Sequence, residues 1–329
     1  STGNGVTVEC DMDNMRVYLD VIVMVTTQTP TTFTHVINVD AVNTSATATV
    51  RFYPKQTAGY GNTLVSLAPG CSANHQGITF GNSSETHIIY GGIFSNSCIS
   101  TVGSAPVVTI GDGKITYNKD FYRSTWPLTI SPIPEATTNR LDDNLIPPPT
   151  CPASGSSAYV KAPNTPSLSP GNYNGISLSS GNLTLQPGLY CLDGNLKLTG
   201  GTFSAEGVTF FFASGSPAFS GNTVIHMSAP ICESGDCPKE GVPPAIPGML
   251  VYIGHADDVV INGTADNYFE GLIYAPKSEV TLDGTSYDVN VIDGQVIGYG
   301  IIISGNAKLS MNQTGTNQYT YEATMDVMK

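Results

Sequence analysis

Charged residues are scarce in this chain of 329 residues, because Asp, Glu, Lys and Arg together make up only 12% of it, about half of the usual share. Long apolar runs are missing too, since none approaches the roughly 18–20 residues needed to cross a membrane. The net charge of −13 argues against a nucleic-acid partner, which would need a basic surface. The chain instead has 35 Gly, 22 Pro and many Ser, Thr and Asn, a mixture typical of turn-dense, all-β extracellular proteins. We therefore expect neither a nucleic-acid partner nor a membrane span in this chain.

The motifs of the common catalytic sites are also absent. No Ser has Gly both two residues before and two residues after it, and there is neither a Walker A loop nor an HExxH motif. The adjacent acids at 142–143 and 257–258 would point to opposite faces of a strand, whereas a glycosidase needs two carboxyl groups that face each other. We predict a non-enzymatic protein without catalytic residues, metal or cofactor. A calcium ion at residues 11–13 or 233–236, where acids cluster, is the alternative.

The seven cysteines contain no CxxC pair, so a zinc ribbon is not expected. Six of them are predicted to form three disulfides, one across the short loop CESGDC and two by proximity in the organisation given below. The pairs are Cys232–Cys237, Cys71–Cys98 and Cys151–Cys191. Disulfides imply an oxidising location. Cys10 is left over, as a buried free thiol, as the partner of a removed segment, or as a bond to another subunit.

Residues 1–54 are predicted to form a small, Ig-like or β-sandwich-like block. Its central segment, MRVYLDVIVMV (15–25), has a period of two, so one face of this strand is apolar. GVTVEC (5–10) and SATATVRF (45–52) also alternate, and DMDN (11–14) is a predicted turn. Three or four strands are too few to close a sandwich. We expect completion by GVTVEC folding back, by GVTVEC of a neighbour, or by the C-terminal segment 318–328.

Residues 55–126 are predicted as a first solenoid-like part, 127–157 as a proline-rich linker and 158–329 as a β-solenoid domain. From about residue 166, Gly-Asn or Gly-Gly recurs between short β-forming runs, at first every 10 to 13 residues, with pairs that begin at 171, 181, 194, 200 and 221. This spacing favours a solenoid, in which parallel strands stack turn on turn around an apolar interior. A jelly roll or sandwich is the alternative. The predicted fold class is all-β, with a β-sandwich-like N-terminal block and a β-solenoid part.

An incomplete sheet behind an extended N-terminal segment indicates strand exchange between subunits. In this hypothesis a strand of one protomer fills the gap beside the acceptor strand of the next. Such a contact is heterologous, so it propagates into an open filament instead of a closed ring. The candidate exchanged strand consists of Gly5, Val6, Thr7, Val8, Glu9 and Cys10. The candidate acceptor positions are Met15, Val17, Leu19, Val21, Val23 and Val25.

A set of short phrases in the chain carries a family resemblance. They are PGLYC (187–191), GVTFFF (207–212), SGN (220–222), HMSAP (226–230), EGLIYAP (270–276) and ISGNAKLSMN (303–312), with TTFTHVINVDAVNTSATATV (31–50) and GGIFSNSC (91–98) in the first half. In these phrases the chain resembles the extracellular part of TadE/TadG-like proteins, pseudopilin-like proteins associated with tight-adherence (Flp-type) pili. The family usually begins with a hydrophobic N-terminal helix, which is missing here, and it offers no established catalytic residues to carry over.

The resemblance implies a bacterial structural protein that is secreted or displayed on the cell surface. Together with the incomplete sheet, it leads us to expect a subunit of an extracellular filament or pilus-like fibre whose main partner is itself. The alternative is a monomeric surface adhesin or minor pilus component that binds surface glycans or matrix. A secreted polysaccharide-active enzyme is the third possibility.

Overall fold

The computed structural model describes residues 4–13, 15–30, 41–71, 77–103, 106–123, 128–142, 146–152, 158–162, 166–231, 245–263, 267–284, 289–305, 308–312 and 318–328. The fold is all-β, as predicted. The strands, in chain order, are β1 (Gly5–Asp13), β2 (Arg16–Pro30), β3 (Ala41–Tyr53), β4 (Gln56–Thr57), β5 (Asn62–Ser66), β6 (Gly77–Gly81), β7 (Glu85–Tyr90), β8 (Gly92–Ser95), β9 (Cys98–Val102), β10 (Val107–Asp112), β11 (Ile115–Tyr117), β12 (Asp120–Tyr122), β13 (Thr129–Ser131), β14 (Glu135–Ala136), β15 (Ala158–Ala162), β16 (Ser167–Leu168), β17 (Gly171–Leu178), β18 (Asn182–Leu185), β19 (Gly188–Leu192), β20 (Leu196–Ala205), β21 (Val208–Phe212), β22 (Pro217–Ser228), β23 (Met249–Ile253), β24 (Val259–Gly263), β25 (Tyr268–Gly284), β26 (Val289–Gly305), β27 (Lys308–Asn312), β28 (Thr320–Tyr321) and β29 (Thr324–Met328).

The chain forms two compact units, and one is inserted into the other along the sequence. The first unit comprises Ser1–Gln56 and Thr320–Lys329, and the second comprises Thr57–Tyr319. The second unit therefore begins after β3 and ends before β29, two strands that pair with each other in the first unit. The predicted boundary after residue 54 lies close to this division.

The first unit is one antiparallel sheet with the strand order β1–β2–β3–β29. The strand β1 folds back on β2 as a hairpin, so DMDN contributes Asp11 and Asp13 to β1, and the turn is shorter than predicted. The strand β2 pairs with β3 on its other side. Both edges of β2 are thus paired within the chain over residues 19–24, and the C-terminal strand β29 pairs with β3 instead. The predicted sandwich is not confirmed, because the described strands of this unit form a single layer.

The second unit is a parallel β-solenoid, which confirms the main fold prediction. Each turn contributes one strand segment to each of three columns, in which every strand stacks on its neighbour in parallel register. Column A holds β6, β9, β12, β15 and β24 with parts of β17, β20, β22, β25 and β26. Column B holds β7, β10, β13, β16, β18 and β27 with parts of β20, β22, β25 and β26. Column C holds β5, β8, β11, β14, β19, β21 and β23 with parts of β17, β25 and β26.

The solenoid interior is filled by alternate residues of each strand. In column C, for example, an inward row runs through Tyr190, Phe210, Val251, Ile273 and Val296, which occupy matching positions on successive strands. All five side chains are buried. Their burial is the main stabilising contribution, since a buried aliphatic or aromatic side chain contributes about 1.5–3 kcal/mol.

The two predicted solenoid parts form one continuous stack. The late strands β26 and β27 pair with the early strands β5, β6 and β7, so the end of the sequence repeat stacks directly on its beginning. The prediction of separate parts at 55–126 and 158–329 is therefore wrong. Alternation within each strand specifies which residues face inward but not which turn lies above which.

The prediction of a plain linker at 127–157 is also wrong. This stretch supplies β13 and β14, and its described residues beyond them follow the outside of the solenoid. Successive contacts are made by Thr137 with Tyr117 of β11, by Leu141 with Asn96, and by Ile146 with the hydroxyl groups of Tyr252 and Tyr274. The bonds that show this are Thr137 N to Tyr117 O (2.8 Å), Leu141 N to the Asn96 Oδ1 (2.7 Å), Ile146 N to the Tyr274 hydroxyl (3.4 Å) and the Tyr252 hydroxyl to Ile146 O (3.1 Å).

The proline content of this segment follows from the distance it has to cover. From β11 to β19, column C spans seven strand spacings of about 4.8 Å, or about 34 Å. The fourteen steps from Thr137 to Cys151 reach about 43 Å as polyproline II but only about 21 Å as an α-helix. The described residues 137–142 and 146–152 accordingly contain no helix, and proline favours the extended conformation that this distance requires.

Two predicted disulfides are confirmed. Cys71 is bonded to Cys98 and Cys151 to Cys191, with Cα–Cα distances of 5.6 and 6.1 Å. The second bond fixes the proline-rich segment to β19. The predicted pair Cys232–Cys237 lies outside the described residues.

Candidate assembly surface

The two faces of the N-terminal sheet differ sharply in polarity. Because side chains alternate along a strand and the register is continuous, one face collects every second residue of all four strands. We call it the apolar face; it consists of Val6, Val8, Cys10, Met12, Val17, Leu19, Val21, Val23, Val25, Ala46, Ala48, Val50, Phe52, Met325 and Val327. None of these fifteen residues is charged.

The apolar face is ordered in rows that cross the strands. The central valine row consists of Val8, Val21, Val50 and Val327. On one side lies a row that contains three larger side chains, Leu19, Phe52 and Met325, and ends at Cys10 on β1. On the other side lies a row of smaller ones, namely Val6, Val23 and Ala48.

Much of the apolar face is open to solvent. The outer strands are the most exposed, with exposed fractions of 60% for Val8 and 78% for Val327. The inner positions of β2 and β3 at the valine row are half-buried. A contiguous apolar surface of this kind is rare on a monomeric soluble protein and typically marks an interaction site.

The opposite face of the sheet is polar and internally bonded. The Arg51 guanidinium donates two hydrogen bonds to the Asp20 carboxylate, at 2.8 and 2.9 Å. Arg51 also lies over the ring of Tyr18 at 3.7 Å, and Arg16 lies over the ring of Tyr53 at 3.8 Å. These contacts hold the charged groups away from the apolar face and align β2 with β3.

Two pKa values on this polar face are displaced from their ordinary values. The hydrogen bonds from Arg51 lower the pKa of Asp20, although partial burial acts in the opposite direction. Burial raises the pKa of Tyr18, and the nearby Asp11 adds to this effect. The phenol of Tyr18 donates to the Asp11 carboxylate at 3.3 Å, which links β1 to β2 on the polar face.

The predicted exchange residues all lie in this sheet. Gly5–Cys10 belong to β1, and of the predicted acceptor positions Val17–Val25 belong to β2 whereas Met15 lies in the turn. The C-terminal segment 318–328, one of the predicted candidates for completing this block, also adds Met325 and Val327 to the apolar face, which was not predicted. The alternation of TMDVM (324–328) was the available signal.

Cys10 is exposed and is a free thiol among the described cysteines, so its interpretation as a buried thiol is wrong.

The candidate calcium ligands Asp11 and Asp13 lie on the polar side of β1, and the second candidate, 233–236, lies outside the described residues. Among the described residues, no group of three or more His, Cys, Asp or Glu side chains could hold a metal ion.

The solenoid carries one acidic cluster that the sequence analysis missed. Glu270 and Asp293 occupy paired positions on β25 and β26, about one strand spacing apart, and Tyr268 is two residues from Glu270. Burial, Glu270 and Asp293 raise the pKa of Tyr268 to about 12, and burial raises that of Asp293. Only adjacent acids were considered in the sequence, whereas a solenoid brings together acids one turn apart.

The adjacent acids considered earlier do not form a facing pair. Asp257 has an exposed carboxylate that lies 3.5 Å from the His255 imidazole. The pKa of Glu279 is raised by burial and, to a smaller extent, by the nearby carboxylate of Asp258. Asp143 lies outside the described residues.

Comparison of the chain with protein-family models, with curated proteins and with solved structures finds no match. The similarity to TadE/TadG-like proteins therefore stays a prediction. Within the described ranges, no helix has the length and apolar character needed to span a bilayer.

Proposed function

We propose that the protein is a structural subunit of an extracellular bacterial filament and that it assembles by exchange of β1 between protomers. The observation that carries this proposal is the state of β1, which is an edge strand with all nine residues exposed. The two disulfides support an oxidising, and hence extracytoplasmic, location.

Detaching β1 from its own sheet would cost little free energy of side-chain burial, because β1 buries no side chain in its own chain. Its main bonds are the hairpin pairings with β2, from Gly5–Met24 to Asp13–Arg16. A β1 strand from a neighbour could make the same pairings in the same register. Short hairpin turns favour such exchange, and only residues 14 and 15 separate β1 from β2.

Exchange of β1 between protomers would also explain how the proposed filament grows. Each protomer would donate β1 to one neighbour and accept β1 from another, so donor and acceptor surfaces differ. Such a heterologous contact leaves an unsatisfied donor or acceptor at each end and continues into an open filament. The solenoid would then be the bulk of each subunit along the fibre.

The test is a variant in which β1 cannot leave its own sheet. Thr7 and Ile22 are directly paired on the polar face, so T7C/I22C in a C10S background should form a disulfide within the hairpin. We call it the hairpin-locked variant. Electron microscopy and pelleting should show filaments for C10S and for each single cysteine variant, but none for the hairpin-locked variant.

The hairpin lock has a control for general damage. Filaments should return when the engineered bond is opened with a reductant concentration that leaves the filaments of the C10S protein intact. Filaments of normal abundance from the fully locked chain would overturn strand exchange.

A further inference from the structure

We propose that the apolar face packs on the same face of a second copy of this chain, with the strands antiparallel and the two valine rows against each other. This inference rests on the proposed function, because it specifies a second contact between the subunits of the same assembly.

A second layer is needed for a physical reason. A sheet with one apolar face is stable in water when that face is covered by another element. The described strands of the N-terminal unit supply one layer only, and all charged side chains of these strands lie on the other face. An uncharged partner surface is therefore the complementary one, and a second copy provides it.

The rows of the apolar face are complementary to themselves. In antiparallel packing around the valine row, the large row of one copy lies over the small row of the other. Leu19 and Phe52 would then face Val23 and Ala48 of the second copy, so large side chains meet small ones, and Cys10 would face Val6. Such interdigitation is how aligned sheets form a core about 10 Å thick.

The size of the apolar face suits a stable contact. With strands about 4.8 Å apart and about 6.8 Å between successive residues on one face, the fifteen residues of the apolar face cover about 500 Å² per copy. Two copies would bury about 1,000 Å² by this planar measure, which reaches the lower limit of specific interfaces, and side-chain relief adds to it.

This contact differs from strand exchange in its symmetry. The same surface is used by both copies, so the contact is isologous and closes after two chains. Growth along the fibre would remain the role of β1. The proposed filament is therefore two chains wide, and its two kinds of contact can be broken separately.

The hairpin-locked variant isolates the face contact, because exchange is blocked in it. Analytical ultracentrifugation should show a dimer. The substitution Val327→Lys in this background should halve the mass, because it places two lysines together at the valine row. The matched control is Met328→Lys, which adds the same charge on the next residue of β29 but on the polar face, and it should remain dimeric. Circular dichroism of both variants should match that of the parent.

The outcomes separate the two proposals. A monomeric hairpin-locked chain would overturn the face contact and would mean that another part of the same chain covers the apolar face. In that case, filaments formed by the unlocked chain would still support exchange of β1. A dimer that Val327→Lys leaves intact would also overturn the inference. A dimer sensitive to Val327→Lys, together with filaments that the lock does not affect, would support the face contact and overturn exchange.

Discussion

At the scale of single residues, the pair of Asp20 and Arg51 links β2 to β3 in a sheet with little enclosed core. The pKa of Asp20 is lowered in the folded protein, so the pair stabilises the sheet above the ordinary aspartate pKa of about 3.9. This stabilisation is lost as the pH falls through the lowered value, because the carboxylate becomes protonated.

We expect the amides of β2 and β3 to lose protection from hydrogen exchange below about pH 4, after correction for the intrinsic exchange rate. Asp20→Asn should lower protection at neutral pH and remove most of this acid dependence. The acid dependence should be unaffected by Asp112→Asn, which changes an exposed carboxylate of the solenoid strand β10. Equal acid sensitivity of the Asp20→Asn variant and the parent would contradict this interpretation.

A second prediction at this scale concerns Gly294, which stacks on Gly271 in the next turn. A β-carbon at 294 would overlap the Gly271 carbonyl oxygen, so the two turns could not keep their spacing. Gly294→Ala should lower the free energy of unfolding by about 1–3 kcal/mol or more. Gly70→Ala, where a β-carbon meets nothing within 4 Å, is the control in urea denaturation.

Residue-scale predictions from the sequence succeeded where chemistry restricts the choice. Cys71–Cys98 and Cys151–Cys191 could be paired because each joins stretches expected to be neighbours. The exposure of Cys10 could not be predicted, since the alternation in GVTVEC shows which residues share a face but not whether that face is covered.

At the scale of elements, the described residues 137–142 and 146–152 stabilise the solenoid by covering the outside of column C. Ile146 is 3% exposed, and its backbone bonds to two tyrosine hydroxyl groups. Burial also raises the pKa of Tyr252 to about 12, as expected for a covered phenol.

We therefore expect Ile146→Ala to lower the free energy of unfolding by about 2–4 kcal/mol, the usual cost of truncating a buried isoleucine. Ile133→Ala, in the same proline-rich stretch but 78% exposed, should change it by less than about 0.5 kcal/mol. Urea denaturation of both variants measures the difference. Similar effects of the two substitutions would mean that the segment is a passive connection.

The sequence could not reveal this element because proline has the same effect on a free linker and on a packed extended segment. The buried Leu141 and Ile146 were the distinguishing signal. Two apolar residues among prolines do not by themselves indicate which surface they contact, since that surface is built from tyrosines more than 100 residues away.

At the scale of the whole molecule, the solenoid fold was predictable from the sequence, but the order in which its turns stack was not. Short strands at regular spacing reflect a local rule, because every turn must place apolar residues inward. The stacking of β26 on β5 depends on which free strand edges meet after the turns have formed, and both halves offer similar edges. The single-layer N-terminal sheet was missed for a related reason, since alternating strands are equally compatible with one layer or two.

The stacking of the last turns on the first has a consequence for the time course of synthesis. Ser66 of β5 donates a hydrogen bond to the carbonyl of Tyr299, 233 residues later. At about 5–20 residues per second, a ribosome delivers that partner roughly 10–50 s after β5 has emerged. During this interval β5, β6 and β7 present unpaired edges, so a chaperone or an export channel that holds the early turns apart would raise the yield of folded protein.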